Sequence, residues 1–231
     1  MTLTTFSKKI KKDTSKSHSM AENTGFVTNF LAGVVSKESY KQLIADFYFI
    51  YTALEEQVEK FKDDPFIAPI AFDELKRVPA LEKDCEFYWG KNWRSIIAPT
   101  DACKNYVARL KKINAKFLVG HHYTRYLGDL SGGQILKNIA NKSMNLNGKG
   151  LAFYEFENIP HAGNFKNRYR TALDNLPITW SDGELIINEA NYAFKLNMDV
   201  FDEIGSSRPF PLLATMRGLL QLTWGAIRSK K

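Results

Sequence analysis

At 231 residues the chain is long enough for one sizeable core, and with 44% hydrophobic and 13% aromatic residues it can fold without staples. Its net charge of +7 calls for an anionic partner, but the 32 basic residues are scattered, and no zinc-finger spacing, base-stacking motif or recognition helix accompanies them, which argues against nucleic acid. Cys85 and Cys103 sit in no metal or redox spacing and read as reduced thiols of a reducing cytosol; no run is long and uncharged enough to span a bilayer, and the N-terminus lacks the apolar core of a secretory signal.

Residues 6–17 are basic and weakly periodic, with Phe6 and Ile10 one turn apart, and predict a surface helix. The next segment carries Met20, Phe26, Val27, Phe30, Leu31 and Val34 on an apolar stripe, broken by Gly25 and ended near Gly33. Ser36 and Ser39 precede a long helix predicted over 40–62, which Asp63, Asp64 and Pro65 stop. An apolar connector follows over 66–72, then a helix over 73–89. Pro99 and Thr100 cap a helix predicted to run through 115 and straight on into the next segment. Residues 145–150 form an Asn/Gly loop and 151–160 an extended connector; 165–176 and 182–204 return to helix. From 205 a Gly-Ser-Ser hinge leads into an apolar tail, whose Arg217, Pro209, Pro211 and Gln221 argue against a membrane span. The expected division is therefore a main unit over 1–204 and a tail over 205–231, folded onto the domain or a partner. No strand-like pairing emerges, so the expected fold is all-α.

The stretch 117–136, FLVGHHYTRYLGDLSGGQIL, combines helical spacing of Leu118, Tyr123, Leu127, Leu130, Ile135 and Leu136 with three glycines. Gly128, Gly132 and Gly133 together forfeit roughly 3 kcal/mol of helix propensity relative to alanine. Gly128 and Gly132 stand one turn apart and clear side chains from one face, so something can approach the backbone itself. A close helix crossing or a helix break at Gly-Gly is the alternative. The polar crowd of Tyr123, Arg125, Asp129 and Ser131 in this apolar run favours a flat ligand. His18 opens the upstream segment, with Glu22 one turn on, the spacing of a metal-ligating histidine oriented by an acceptor, although a lone histidine near a helix start is more often a surface or capping residue.

The segments SHSMAENT, YTALEEQ and HHYTRYLGDLSGGQILK, with FKNRYR and NEANYAFKLNMDVF downstream, resemble the biliverdin-forming, all-helical heme oxygenases, collinearly from about Lys11 to Phe201. Within that family the chain is most similar to the cyanobacterial and algal enzymes that feed phycobilin synthesis. The resemblance implies a single-domain fold with heme sandwiched between a proximal helix and a kinked distal helix. It makes His18 the proximal iron ligand, oriented by Glu22, and puts Gly128, Gly132 and Gly133 on the distal wall beside Ser131. Asp129 would anchor a distal water network that delivers protons, with Arg125, Tyr51 and Asn197 as members. Lys11, Tyr123, Lys166 and Arg170 would hold the propionates and so set which meso carbon is cut, the α position being expected. His121 and His122 are expected to be packed or hydrogen-bonded structural residues, and His161 a loop residue.

The activity so implied is oxidative cleavage of heme, both prosthetic group and substrate, by O2 to biliverdin IXα, carbon monoxide and ferrous iron. Because no flavin or nicotinamide motif is present, electrons are expected from outside, from reduced ferredoxin, whose acidic surface suits the basic chain. A ferredoxin-dependent bilin reductase would take the product, in the cytoplasm or in the plastid stroma of an alga. Two rival readings are a module that keeps heme intact, and a basic helical protein whose glycine strip is a packing or nucleic-acid contact.

Overall fold

In the computed structural model residues 5–207 are described, and within them all regular secondary structure is helical. The helices are α1 (Phe6–Asp13), α2 (Ser15–Glu22), α3 (Gly25–Leu31), α4 (Lys37–Lys60), α5 (Val78–Trp89), α6 (Asp101–Lys112), α7 (Ala115–Ser143), α8 (Ala162–Asp174) and α9 (Trp180–Ser207), joined by short 3-10 turns at Asp73–Leu75, Trp93–Ser95 and Ala152–Tyr154. Among the described residues no helix is long and apolar enough to cross a membrane.

Local chemistry accounts for the boundaries. Ser36 caps α4 by accepting the Ser39 N–H at 3.0 Å, Thr100 caps α6 by accepting from Cys103 at 3.2 Å, and Asn114 caps α7 by accepting from Phe117 at 3.1 Å. Asp46, buried in α4, accepts from the Thr100 N–H and hydroxyl at 3.0 and 2.7 Å and so clamps the start of α6 to α4. Cys85 and Cys103 are free and fully buried; burial pushes both thiols up, Cys85 to about 12, so neither is a reactive thiolate.

Several expected boundaries are corrected. The first predicted helix is two, because the chain turns at Thr14, whose hydroxyl is spent on the Ile10 carbonyl at 2.7 Å. The helix predicted over 73–89 starts only at Val78: Pro79 is tolerated in a first turn but would clash in a helix interior. The helix predicted through 115 ends at Lys112, with extended backbone at Ile113 and Asn114 before α7 begins. Residues 151–160 contain a 3-10 turn, held by Arg77, which donates to the Phe153 carbonyl at 3.1 Å and the Glu155 carbonyl at 2.6 Å. Gly205 and its two serines are helical, so the expected division at 204 falls inside α9; residues 208–231, most of the expected tail, lie outside the described residues.

The central pair is α7 against α9. Their backbones meet at Gly120, where a methyl would come within 2.8 Å of the Ala190 nitrogen and 2.9 Å of the Ile186 oxygen. Only glycine permits that approach without displacing a helix. Beyond this point α7 runs on through Gly128, Gly132 and Gly133 as unbroken helix, so the glycines are neither a break nor a cap. The core around the pair is aromatic, with Tyr40, Tyr51, Tyr106, Tyr126, Tyr169 and Phe153 all fully buried.

Candidate functional site

Past the α7/α9 contact the helices leave a cleft of about 390 Å³, walled by α2, α3, α4, α7 and α9 and by the Ala152–Tyr154 turn. A second cavity of about 230 Å³ adjoins it toward α1 and α8 and shares His18, Thr124, Gly128, Ser131 and Phe194 as walls. The two are read as one continuous site.

A methyl built on Gly128 or Gly132 meets no protein atom within 4 Å. These glycines therefore serve the opposite purpose to Gly120: they keep a strip of α7 backbone open to the cleft. Gly133 differs again, its missing methyl 3.5 Å from the Tyr154 ring, an ordinary packing contact. On the α2 side stands His18, 52% exposed, with Nδ1 3.5 Å from the Glu22 carboxylate and its ring edge-on to Phe194 at 5.8 Å. Glu22 also lines the cleft.

Asp129 lines the cleft with its carboxylate 12% exposed. It accepts a short hydrogen bond from the Tyr51 hydroxyl. Arg125 donates through Nε to Tyr51 at 3.0 Å, donates from Nη1 to Asn197 Oδ1, and holds Nη2 3.7 Å from Asp129. Phe47 and Tyr51 stack on this guanidinium at 4.4 and 4.9 Å. Burial raises the Asp129 carboxyl above the ordinary carboxylate range, against the opposing pull of Arg125, the Tyr51 bond and Arg77. Burial also raises Tyr51 well above the usual phenol value, so the phenol is the donor. For Arg125, burial works against the charge, but Tyr51 and Asp129 outweigh it and its pKa rises. The arrangement is an acid that keeps its proton to higher pH than a surface aspartate, backed by a permanent cation.

At the mouth of the second cavity stand Lys11, Tyr123 and Arg170, with Ser131 between the two cavities. Lys166 lies beside them, its Nζ 3.4 Å from Ser131 Oγ, while Arg170 donates to Asn167 at 2.9 Å. Three cations from two helices, with two hydroxyls, make an anion-binding rim. The structure thus gathers every candidate residue around the cleft, except that Tyr51 stands behind Asp129, fully buried, and Lys166 reaches the site only through Ser131.

Sequence reasoning missed Thr14, Thr124, Phe194 and Phe153 as parts of the site. Thr14 and Thr124 are buried polar residues that reach Tyr123 and the Ala190 carbonyl, the latter at 3.4 Å; only Thr124, set among apolar and aromatic neighbours in α7, carried a signal in the sequence. His121 and His122 are buried and hydrogen-bonded, as expected: His121 pairs with Glu189 at 2.8 Å, and His122 with the Tyr169 hydroxyl at 2.7 Å. His161 stands in extended backbone immediately before α8.

Fold and cleft define an all-α protein that takes a broad, mostly apolar ligand against bared helix backbone, with an imidazole on one wall, a buried acid on another and cations at the mouth. The chain belongs to the heme oxygenase family: the family model described as heme oxygenase matches residues 4–203. It is 51% identical over 198 residues to heme oxygenase 1 of Synechocystis, covering 84% of this chain and 82% of that one. To the heme oxygenase of Rhodella violacea it is 49% identical over 202 residues, covering 86% of each. Among solved structures, heme oxygenase-1 of Synechocystis in complex with heme superposes with a TM-score of 0.85 at 44% identity, covering 99% of this chain and 100% of that chain. Heme oxygenase-2 of the same organism, in complex with heme and NO, gives 0.84 at 43% identity, covering 88% of each.

Proposed function

We propose that the chain binds heme in this cleft and, with O2 and electrons from reduced ferredoxin, cleaves it at the α-meso carbon to biliverdin IXα, carbon monoxide and ferrous iron, a reaction that supplies phycobilin synthesis. The residues fit the group. Gly128 and Gly132 leave open space against the α7 backbone, His18 is the one imidazole lining the cleft among the described residues, and the cationic rim matches a ligand with two carboxylates. Bound heme supplies the redox-active iron and is itself the molecule whose ring is opened.

The chain's own residues do the rest. His18 would hold the iron through an imidazole nitrogen, and Glu22, 3.5 Å from Nδ1, would favour the tautomer that leaves Nε2 to the metal. Phe194 fixes the ring from its edge. Lys11, Lys166, Arg170, Tyr123 and Ser131 hold the propionates and so fix the ring's rotation. The bared backbone at Gly128 and Gly132 brings α7 against the ligand face and leaves room beside it for a small molecule. Asp129 holds a proton at its carboxyl beside that space, Tyr51 orients the carboxyl, and Arg125 stabilises the anion left when the proton departs. Electron supply from a separate, acidic ferredoxin is supported by the net charge of +7. Residues 1–204 are read as sufficient for this chemistry, without the tail.

The observation that carries the reading is the buried acid beside a glycine-bared strip in one cleft. Its test is to add one equivalent of heme to the purified chain, supply ferredoxin, its reductase and NADPH in air, and follow the visible spectrum and carbon monoxide. Loss of the Soret band with growth of biliverdin absorbance is expected. A Soret band that persists with active donors would replace the proposal with a heme-keeping module, and failure to take up heme would overturn it. Asp129→Asn is expected to bind heme as the parent does and to make biliverdin roughly 100-fold more slowly; undiminished turnover would remove Asp129 from the mechanism.

A further inference from the structure

The turn Ala152–Tyr154 walls the cleft beside Gly133 with its Phe153 and Tyr154 side chains. Its internal bonds run from the Tyr154 N–H to the Leu151 carbonyl at 3.2 Å and from the Glu155 N–H to the Ala152 carbonyl at 2.9 Å. They leave the N–H groups of Ala152 and Phe153 to be satisfied from outside. Asp84, buried in α5, accepts both, one on each carboxylate oxygen, at 2.8 Å apiece. The carbonyls go to other partners: the Tyr88 hydroxyl donates to Gly150 at 3.0 Å, Arg77 donates to Phe153 and Glu155, and Gln134 of α7 donates to Tyr154 at 3.0 Å. Three residues further along α7, Lys137 pairs with the Glu155 carboxylate at 2.7 Å.

The turn is therefore a strap between two bodies. At one end is α5, packed on α4; at the other is α7, immediately past its glycines. On the cleft side of Gly128 and Gly132 no protein atom stands within contact, so nothing there sets the position of this stretch of α7. Arg77, Tyr88 and Gln134 hold carbonyls, which accept over a broad range of directions, and so leave the turn free to rock. Two successive N–H groups on the two oxygens of one carboxylate fix its rotation, and with it the directions of the Phe153 and Tyr154 rings. Only the ionised carboxylate offers both acceptors, since an acid or an amide would turn one of them into a donor facing an N–H. Burial raises Asp84 to about 6, with the two amide bonds and Lys83 pulling it down and Glu155 adding to the rise. Because the folded value lies above the unfolded one, the charge costs the fold stability at neutral pH, a cost that shrinks as pH falls through about 6. What the charge secures is the place of the turn.

We infer that Asp84 is a positioning residue for the ligand: it lines neither cavity, and acts by fixing the turn that carries Phe153 and Tyr154 and, through Gln134, the bared stretch of α7. The inference rests on reading the cleft as the heme seat. Phe153 packs on Phe47 at 5.1 Å and Tyr154 lies 3.5 Å from the missing methyl of Gly133, so a turn that rocks moves the wall and the strip together. The groups facing Asp84 are Lys83, Cys85 and Tyr88 on its own helix, Tyr40 from α4, and Tyr154 and Glu155 from the strap.

The test uses the full chain, heme-free, as parent, Asp84→Asn and Gln134→Leu, with iron-free protoporphyrin IX as the probe, which fills the cleft without calling on His18. In the parent, the amide shifts of Ala152 and Phe153 and the ring shifts of Phe153 and Tyr154 are expected to move with the Asp84 carboxyl as pH falls from 8 to 5, with a midpoint of about 6. In Asp84→Asn that step should be absent and the two amides should exchange hydrogen faster. Binding must then order two side chains that the parent already holds, so protoporphyrin IX affinity at pH 7.5, read by porphyrin fluorescence, should fall roughly tenfold with no matching loss in urea unfolding. Gln134 is exposed, so Gln134→Leu leaves the core intact; it should weaken porphyrin binding by roughly threefold while Asp84 still titrates. Parent amides that ignore the Asp84 titration would overturn the inference, as would an Asp84→Asn chain that loses urea stability and keeps its porphyrin affinity. If Asp84→Asn does not fold, the parent titration and Gln134→Leu decide, and unchanged affinity in the latter overturns the strap. Should the parent bind neither heme nor protoporphyrin IX, the proposed function fails on that result alone, while amide and ring shifts still decide whether Asp84 holds the turn.

Discussion

Replacing Gly128 and Gly132 by alanine should make the heme-free protein more stable and the heme-binding protein worse. At either position the added methyl meets no protein atom within 4 Å, so the folded chain incurs no steric cost, and both lie inside the unbroken helix α7. What remains is helix propensity, about 1 kcal/mol in favour of alanine at each. For a domain of this size about 1 kcal/mol corresponds to roughly 2–4 °C, so the double variant should melt roughly 4–8 °C higher without heme. The same two methyls stand in the cleft, where overpacking against a rigid ligand costs about 1–3 kcal/mol, or roughly 5- to 150-fold in heme affinity. Thermal melts of the heme-free chain and a spectroscopic heme titration measure both halves. A heme-free double variant that melts lower than the parent would refute the reasoning, since it would mean the glycines pack against protein.

Gly120→Ala should do the reverse, because its methyl would press on α9 backbone at 2.8 and 2.9 Å: a loss of about 3 kcal/mol in urea unfolding is expected, and a neutral result would mean the α7/α9 contact yields freely. His122, held neutral by burial with its pKa lowered from 6.5 to about 3, gives a pH dependence of definite sign. An unfolded histidine takes up a proton near 6.5 that the folded one refuses until about 3, so stability falls as pH drops through that window, by about 3 kcal/mol at pH 4.5 and up to about 5 kcal/mol in all. Comparing urea unfolding at pH 7 and 4.5 in the parent and in His122→Gln isolates this contribution, and an equal pH slope in both would assign acid sensitivity elsewhere.

Much of the helix order was legible because caps and stops are local. Ser36 and Thr100 sit at their helix starts as their side chains require, and the Asp-Asp-Pro run at 63–65 lies just past the end of α4. The boundaries missed are those where apolar periodicity continues across a break. At Ile113 and Asn114 the spacing of buried residues hardly changes, and the break shows only in an asparagine that caps the helix after it. At Val78 the signal was Pro79, which a continuous helix from Asp73 could not have accommodated.

The cleft was legible for a different reason: its residues contradict the pattern around them. Glycines inside a long apolar helix lower its stability, and a carboxylate, a guanidinium and hydroxyls on its buried side must be satisfied, so their presence already implied a site. What the sequence could not reveal is which polar residues meet. His121 read as a packed or hydrogen-bonded residue, but its partners Tyr106 and Glu189, at 3.3 and 2.8 Å, come from two other helices whose rotation about their axes no local pattern records. The close crossing at Gly120 brings α7 and α9 together one residue before His121. A glycine that packs and a glycine that clears space look identical in the chain, and what lies opposite tells them apart: backbone at 2.8 Å across from Gly120, and open cleft across from Gly128 and Gly132.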